Sequence, residues 1–431
     1  MKINTISIRN YRNFETISFE LNQHFTVLVG DNASGKTTVL DAIAIAMGTF
    51  LLGIDVARLN AKSIAPKDIR TKTINGQARP QLPVEITASG KYNGQQLLDW
   101  TRNIDEITAK TTTKFAKAQH VKQLAQTLLT QSRLGENASF PLIVYHGTGR
   151  LWAQHETPKY IANTEGVQRG YDKCLSPKSS SEAFLSWYKT YEDEVNKFNR
   201  TDDKLLLEVL KSTIVAMVPQ WQNIAYSNKE GDLIGTFINQ EGVQEQLAYG
   251  QLSDGYRNTI GMVADLAYRC IQLNPHLKEQ AVQKTEGIVL IDELDLHLHP
   301  NWQRTIVADL KRIFPNVQFV ATTHSPFIYQ SLHANELINL DKLEYPDTEP
   351  FKQSIEEAAI EMGVEDMPRS KEFIAMEQTA AQYYDLIAAN KPNSKAQIAS
   401  LQEKLNELEE RYAEDPAFVA LLKAERKSKN L

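Results

Sequence analysis

GDNASGKT at residues 30–37 stands between an apolar run, FTVLV at 25–29, and a mostly apolar segment without Gly or Pro at 37–47. The first run predicts a buried strand and the second a buried helix. A glycine-rich loop between them lets backbone N–H groups face phosphates, and the positive end of the helix dipole adds attraction. The stretch therefore matches a phosphate-binding loop, and an ordinary turn ending in a lysine is the alternative.

The loop pattern assigns contacts to a nucleotide. Lys36 is expected to reach the β- and γ-phosphates, and Thr37 to bind Mg²⁺. Ala33 stands where glycine is common, which the loop tolerates if the φ angle of that residue is negative. The remaining predicted contacts to ATP come from the neighbouring loop and first-turn residues: Asn32, Ala33, Ser34, Gly35 and Thr38.

An acidic pair, Asp292 and Glu293, closes a second apolar run, GIVLI at 287–291. Carboxylates at the C-terminal ends of parallel strands lie where such sheets bind ligands. We expect Asp292 to hold Mg²⁺ through water. Glu293 is expected to polarise the attacking water, which makes it the predicted catalytic carboxylate. A capping pair before a turn is the alternative, and the phosphate-binding loop upstream argues against it.

Two further segments indicate the class of ATPase. LSDGY at 252–256 resembles the signature motif of the ABC ATPase superfamily, in which Ser253 and Gly255 would contact the γ-phosphate of ATP bound to the other head of a dimer. THSP at 323–326 follows the next predicted strand, and His324 resembles the switch histidine, which contacts the γ-phosphate. The order of these motifs is specific to that superfamily.

The segment after the acidic pair, LDLHLHP at 294–300, resembles the D-loop of the SMC and RecF branch. The resemblance implies that Asp295 crosses the dimer interface toward the nucleotide of the partner. A metal site at His297 and His299 is the alternative, but the resemblance already accounts for both residues.

The start of the chain also resembles this branch, since IRNYRNF at 8–14 is similar to its opening strand and turn. The resemblance places Arg12 or Asn13 near the adenine or the phosphates. No glutamine stands clearly at the position of the Q-loop, and Gln154 is only a candidate.

The signature departs from the superfamily at two positions. Asp254 replaces the usual small residue and Tyr256 the usual Gln. A carboxylate near the expected γ-phosphate would repel it, so closure of the second half of the site is expected to be weak or to need a partner.

The implied fold class is α/β: an ABC-ATPase head, with a core sheet carrying the phosphate-binding loop and a helical lobe, plus a helical C-terminal extension. Leu401, Leu405, Leu408 and Tyr412 would form one apolar stripe of that extension. We expect four regions: 1–50, the first part of the head; 51–140, an insertion; 141–345, the remainder with the lobe, signature, acidic pair and switch histidine; and 346–431, the extension for partner or oligomer contacts.

Composition limits the cellular context. The chain has 431 residues, a net charge of −6 and two cysteines, which favours a reducing cytoplasm and argues against a disulfide framework or zinc site. No signal peptide or apolar run of membrane-spanning length is visible, so we expect a cytoplasmic protein without a membrane partner. The acidic balance means that any nucleic-acid contact must be local or belong to a partner.

Residues 145–152, Gly255-Tyr256-Arg257, residues 362–364 and residues 424–427 look like the stand-alone ATPases of bacterial anti-phage systems, with the PtuA family of Septu defence as the nearest type. That resemblance implies an ATP- and Mg²⁺-dependent ATPase acting as sensor and scaffold. Its partners would be a second copy of itself, in a head-to-head dimer or higher oligomer, and an HNH nuclease subunit, PtuB.

The chain itself shows neither a His-Asn-His cluster nor an Asp-x-Asp pair after His324, so we expect no nuclease site within it. Two rivals stay open. One is a RecF- or SMC-like DNA repair ATPase that binds DNA directly, although no heptad pattern for long coiled-coil arms persists through 51–250. The other is the ATPase subunit of an importer, which the SMC-like D-loop and opening strand count against.

Overall fold

The computed structural model contains both α-helices and β-strands. It describes residues 1–54, 61–108, 112–151, 166–176, 181–198, 201–218, 221–239, 241–343, 346, 348–364 and seven positions between 378 and 403. Within these residues the strands are β1 (Lys2–Tyr11), β2 (Phe14–Glu20), β3 (Phe25–Val29), β4 (Thr71–Ile74), β5 (Gln77–Pro80), β6 (Val84–Tyr92), β7 (Gln95–Ile104), β8 (Leu142–His146), β9 (Trp221–Ser227), β10 (Asp232–Ile238), β11 (Gln244–Ala248), β12 (Gly287–Ile291), β13 (Val317–Thr322) and β14 (Leu337–Asn339).

The helices in the same part of the chain are α1 (Lys36–Leu51), α2 (Gln119–Arg133), α3 (Gly166–Gly170), α4 (Ser181–Phe198), α5 (Thr201–Met217), α6 (Asp254–Leu273), α7 (Ala281–Lys284), α8 (Pro300–Gln303), α9 (Ile306–Ile313), α10 (Pro326–Tyr329) and α11 (Ile355–Glu361). None of these helices combines the length and the apolar character that a bilayer crossing requires.

A five-stranded parallel sheet carries the predicted motifs, with strand order β14-β3-β13-β12-β8. Every residue of β3, β8, β12 and β13 is buried, as continuous apolar runs in a sheet covered on both faces should be. The strands predicted at 25–29 and 287–291 are confirmed, as is the helix at 37–47. Because all five strands run in one direction, the loops after them meet at one edge.

A four-stranded antiparallel sheet, β2-β1-β6-β7, lies against the other side of α1. Helix α1 contacts strands of both sheets, and for this reason its residues are apolar nearly all round. Two side chains of β7 bond to its backbone: the Trp100 indole donates to the Ala46 carbonyl at 3.1 Å and the Arg102 guanidinium to Ile45 at 3.4 Å. Strands β6 and β7 come from the region 51–140, so part of that region completes a sheet begun by β1.

A helical lobe precedes β12. Helices α4, α5 and α6 contact one another, and the antiparallel sheet β11-β10-β9 packs on α5 and α4 through β9. Helix α6 begins directly after Ser253 and contacts β8 of the parallel sheet. The mixed α/β fold with a central parallel sheet confirms the fold class expected of an ABC-ATPase head.

The chain divides into two compact units, residues 1–358 and 359–431. The proposed division at residues 50, 140 and 345 stays a prediction. Of the apolar stripe expected in the extension, Leu401 alone lies within the described residues, and Gln154 lies outside them.

Candidate active site

The predicted motifs converge on a cleft of about 440 Å³ at the carboxyl edge of the parallel sheet. Loops after β3, β12 and β13 supply most of its walls, and the turn between β1 and β2 supplies the rest. The lining residues are Arg12, Asn13, Asn32, Ala33, Gly35, Lys36, Thr37, Thr38, Asp292, Glu293, Thr322 and His324. Sequence motifs that lie more than 250 residues apart thus line the same cleft.

The loop from 30 to 35 departs from ordinary backbone geometry at three residues. Gly30 and Gly35 have φ angles of 142° and 101°, which suit glycine. Ala33 has a φ of 70°, so a negative φ, the condition under which the loop would tolerate alanine, is not met. The left-handed region costs a residue with a Cβ about 1 kcal/mol. The loop therefore keeps the conformation usual for glycine at position 33 without having the glycine.

Lys36 folds back over the loop. Its Nζ donates to the carbonyl oxygens of Gly30 at 2.7 Å and Asp31 at 2.9 Å. Burial lowers the pKa of Lys36, and the carboxylates of Asp341 and Asp292 act in the opposite direction. A buried lysine whose ammonium is held by two carbonyls gives the cleft a concentrated positive charge, as phosphate binding requires.

The first turn of α1 fits a phosphate group. Gly35 occupies the N-cap and no side chain caps the helix within the described residues, so the first-turn N–H groups face the cleft without a side-chain acceptor. The first turn also carries no acidic residue that would take the place of an anion. This donor set suits a triphosphate, since backbone N–H groups and a lysine converge on one end of the cleft.

Asp292 links Thr37, the other predicted Mg²⁺ ligand, to Thr322 and through it to Glu293. The Thr37 hydroxyl donates to its Oδ2 at 3.0 Å, and the Thr322 hydroxyl to its Oδ1 at 2.7 Å. The same Thr322 oxygen accepts from the Glu293 N–H at 2.7 Å. Hydroxyl and carboxylate oxygens are the ligands that Mg²⁺ prefers, so Thr37 and Asp292 suit the ion. Glu293 itself has a φ of 51°, a strained conformation typical of functional positions.

Asp295 is engaged within its own chain. Its Oδ1 accepts from the Thr323 hydroxyl at 2.6 Å and from the His324 N–H at 3.2 Å. The carboxylate thereby holds the backbone of the segment that carries His324, whose exposed side chain lines the cleft. A direct role of Asp295 across a dimer interface stays a prediction.

The signature residues do not line the cleft of the same chain in the described part of the structure. Ser253 is the N-cap of α6, and its side chain makes no capping bond. Gly255 is required by close packing, since a Cβ there would lie 2.2 Å from the His297 carbonyl oxygen. The signature helix is therefore pressed against the D-loop, with Ser253 at its exposed N-terminus.

Both departures from the signature have partners in the structure. Asp254 forms an ion pair with Arg257, one turn along α6. The ring of Tyr256 contacts that of Trp302 in α8 in a tilted arrangement, with ring centroids 4.1 Å apart. Arg257 partly neutralises the charge of Asp254, and weak closure of the second half of the site stays a prediction.

The remaining candidates have local roles. His299 caps α8 by accepting from the Asn301 N–H at 3.3 Å, and no three His, Cys, Asp or Glu side chains form a metal-holding group in the described chain. Arg12 bonds Asp68 and Asp41, each at 2.8 Å. It lies in the cleft wall, as the resemblance implied for Arg12 or Asn13.

Sequence reasoning missed two residues. Thr322 is the last residue of β13 and directly precedes Thr323-His324. Its hydroxyl position at the end of the strand next to the one that carries Asp292 is the signal that could have found it. Asp341 follows β14, and its Oδ2 accepts from the Asp31 N–H of the loop at 2.6 Å. A Cβ at Gly30 would lie 2.8 Å from the same oxygen. No local pattern announces Asp341, because its partner is 310 residues away.

Comparison with known proteins gives the family. Residues 5–247 match the family model AAA_23, described as an AAA domain. The chain belongs to this family. The match, together with a relative named as an ATPase, confirms the P-loop ATPase inferred from the motifs.

Two relatives of this AAA-domain ATPase span most of its length. The retron Vc95 probable ATPase of Vibrio cholerae serotype O1 biovar El Tor is 26% identical over 87% of this chain and 82% of the relative. The Septu protein PtuA of Bacillus mycoides is 26% identical over 94% of this chain, which spans only 49% of that PtuA. A solved SMC head bound to the C-terminal winged-helix domain of ScpA is 16% identical, with a TM-score of 0.46, over 79% of this chain and 94% of the head.

Proposed function

We propose that this chain is the ATP-binding and ATP-hydrolysing subunit of a bacterial anti-phage defence complex, in which it senses and scaffolds while a partner HNH nuclease cuts. The observation that carries the ATPase part is the cleft, where Lys36, Asp292, Glu293 and His324 surround one space. The defence part is supported by similarity to a retron ATPase over 87% of this chain and to Septu PtuA over 94% of it, although the chain spans only 49% of that PtuA.

The chemistry follows from the residues in the cleft. Lys36 and the first turn of α1 would bind the β- and γ-phosphates, and Thr37 with Asp292 would hold Mg²⁺. When bound, the ion supplies neutralising charge for phosphoryl transfer. Glu293 would orient the attacking water, with Thr322 fixing its backbone, and His324 would contact the γ-phosphate. Catalysis of this kind depends mainly on positioning and electrostatics.

Two copies of the chain complete the proposed site. Ser253 stands outside the cleft of its own chain at an exposed helix N-terminus, a position suited to anion binding. In a head-to-head pair, Ser253 and Gly255 of one copy would face the γ-phosphate held by the other. The symmetry of such a pair would bury two equivalent sites.

Glu293→Gln tests the hydrolytic assignment. The amide keeps the shape of the side chain but cannot polarise water as a carboxylate does, so we expect ATP binding to persist while turnover falls on the order of 100-fold. Binding is measured with a fluorescent ATP analogue and turnover by phosphate release. Glu230→Gln, an exposed change in the turn between β9 and β10, is the matched control. Undiminished turnover in Glu293→Gln would sink the assignment.

The defence assignment needs a separate experiment. The chain is co-purified with the product of the neighbouring gene, and cleavage of plasmid DNA is compared with and without ATP for wild type and Glu293→Gln. A nuclease partner whose cleavage changes with ATP supports the proposal. A permease or a replication protein as the neighbour contradicts it.

A further inference from the structure

Strands β4 and β5 form a short two-stranded β-ribbon. Strands β4 and β5 pair through Asn75 and Gly76, whose φ angles of 52° and 76° give a type I′ turn. Every residue of both strands is exposed. An added Cβ at Gly76 would meet nothing within 4 Å. The tip of the ribbon therefore projects into solvent.

The charge of the ribbon opposes that of the chain. The net charge of the protein is −6, yet residues 67–81 contain four basic residues and one acidic residue. Lys72 lies directly opposite Arg79 across the two strands. Like charges in such a cross-strand pair are destabilising, so the ribbon carries a local cost that an anionic partner would remove.

Two acidic residues at the base of the ribbon are paired with arginines. Asp68 accepts from Arg12 at 2.8 Å, and Glu15 lies 3.1 Å from Arg70. Residues 69–81 contain no acidic residue at all. The positive potential of Lys72 and Arg79 is therefore not cancelled within the ribbon.

The base of the ribbon is fixed to the head. Arg70 N–H donates to the Asn10 carbonyl at 3.0 Å, and Gln81 N–H donates to the Arg70 carbonyl at 2.7 Å. Tyr11 and Ile69 form a bridge beside them. A ribbon held in this way loses little conformational freedom when it binds a partner.

We propose that this basic ribbon, residues 69–81, inserts into the major groove of double-stranded DNA. The major groove, about 12 Å wide and about 8.5 Å deep, admits a two-stranded ribbon. Lys72 and Arg79 would neutralise backbone phosphates, with the polar Gln77 and the exposed Ile74 close to the base edges. The contact is a property of this ribbon and does not depend on the proposed defence role.

The test compares the full chain with the double variant Lys72→Gln/Arg79→Gln. Fluorescence anisotropy measures binding to a labelled duplex of about 20 base pairs, about two helical turns, at several salt concentrations. Loss of two phosphate contacts should reduce the slope of log affinity against log salt by about 1.8 and weaken binding at least about tenfold at moderate salt. Lys229→Gln/Lys278→Gln removes the same charge from two exposed sites elsewhere and should leave both quantities unchanged.

Several results would overturn the proposal: no duplex binding by wild type, an unchanged slope in the ribbon variant, or an equal loss in the control variant. So would a ribbon variant that loses single-stranded DNA while it keeps the duplex. Because the substituted side chains are exposed, the melting temperature should not fall. If the melting temperature of the double variant does fall, the single variant Lys72→Gln replaces it in the test. ATP hydrolysis without DNA is measured in parallel and should be unchanged, so failure here leaves the proposed ATPase function standing.

Discussion

The cleft and the signature segment are built in different ways. Within the cleft, Thr37, Asp292, Thr322 and Glu293 form a continuous series of hydrogen bonds inside one chain. The end of the signature helix has a different character, since the Ser253 side chain makes no capping bond and Asp254 is 58% exposed. One half of the proposed site is therefore preorganised by the fold, and the other half is presented to solvent.

This difference bears on how hydrolysis would be controlled. A preorganised cleft can bind nucleotide in a single chain, because its donors are already in place. In the proposed dimer, the signature end would contribute only when a second head brings it to the phosphate. The proposed site would then couple turnover to association, which suits a protein that responds to a partner.

The largest effect is expected from separating the two halves by mutation. Lys36→Ala removes the cleft lysine and Ser253→Arg obstructs the signature end, and each variant alone should lose on the order of 100-fold in turnover. Each mixed pair of the two variants contains one intact composite site, so mixing should restore phosphate release.

Mass photometry and phosphate release, measured on the same samples, check this expectation. Lys36→Ala alone, at the total protein concentration of the mixture, is the control for the effect of association. If both variants fold and pair but the mixture stays inactive, the signature end acts within one chain and the comparison fails.

Strand and motif positions could be predicted because they rest on local patterns. The runs before Gly30 and Asp292 read as buried strands, and the helix after Lys36 is apolar nearly all round because it is covered by two sheets. The sequence analysis treated 51–140 as an insertion and did not anticipate that β6 would pair with β1 and β7 with β6. The alternation within a strand does not tell which strand it pairs with, and here the partner is more than 70 residues away.

The site could be predicted only where a motif names it. Lys36, Asp292 and His324 line the cleft as expected. Thr322 and Asp341 were missed because their importance lies in pairings set by sheet order, which brings β13 beside β3 and β12, and β14 beside β3. The partnership of Asp254 with Arg257 was also missed, although the spacing of one helical turn could have indicated it.

A smaller effect is expected from Thr322→Val, which tests whether the cleft is preorganised as described. The change keeps the shape of a fully buried residue but removes both the hydrogen bond to Asp292 and the acceptor for the Glu293 N–H. Loss of one such bond to a charged group costs about 1.5–3 kcal/mol, so kcat should fall at least about tenfold.

Thr322→Ser restores the hydroxyl and is the matched variant, with kcat expected within about twofold of wild type. Steady-state kinetics should show the loss in kcat more than in KM, because Lys36 and the first turn of α1 are untouched. Equal values for the Val and Ser variants would mean that the hydroxyl does not organise the cleft.

The smallest effect is expected at the signature end, from Arg257→Gln. The Asp254–Arg257 pair is largely exposed, so its removal should lower kcat/KM for ATP only about two- to threefold, and the deficit should shrink as salt screens the uncovered Asp254 carboxylate. Asp254→Asn added to Arg257→Gln removes the repelling charge and should return kcat/KM to the wild-type value. Phosphate release at low and high salt measures all three proteins. A loss of kcat/KM that persists at high salt and in the double variant would mean that Arg257 contacts the proposed partner head directly. The signature end would then supply a binding residue of its own, in addition to Ser253 and Gly255.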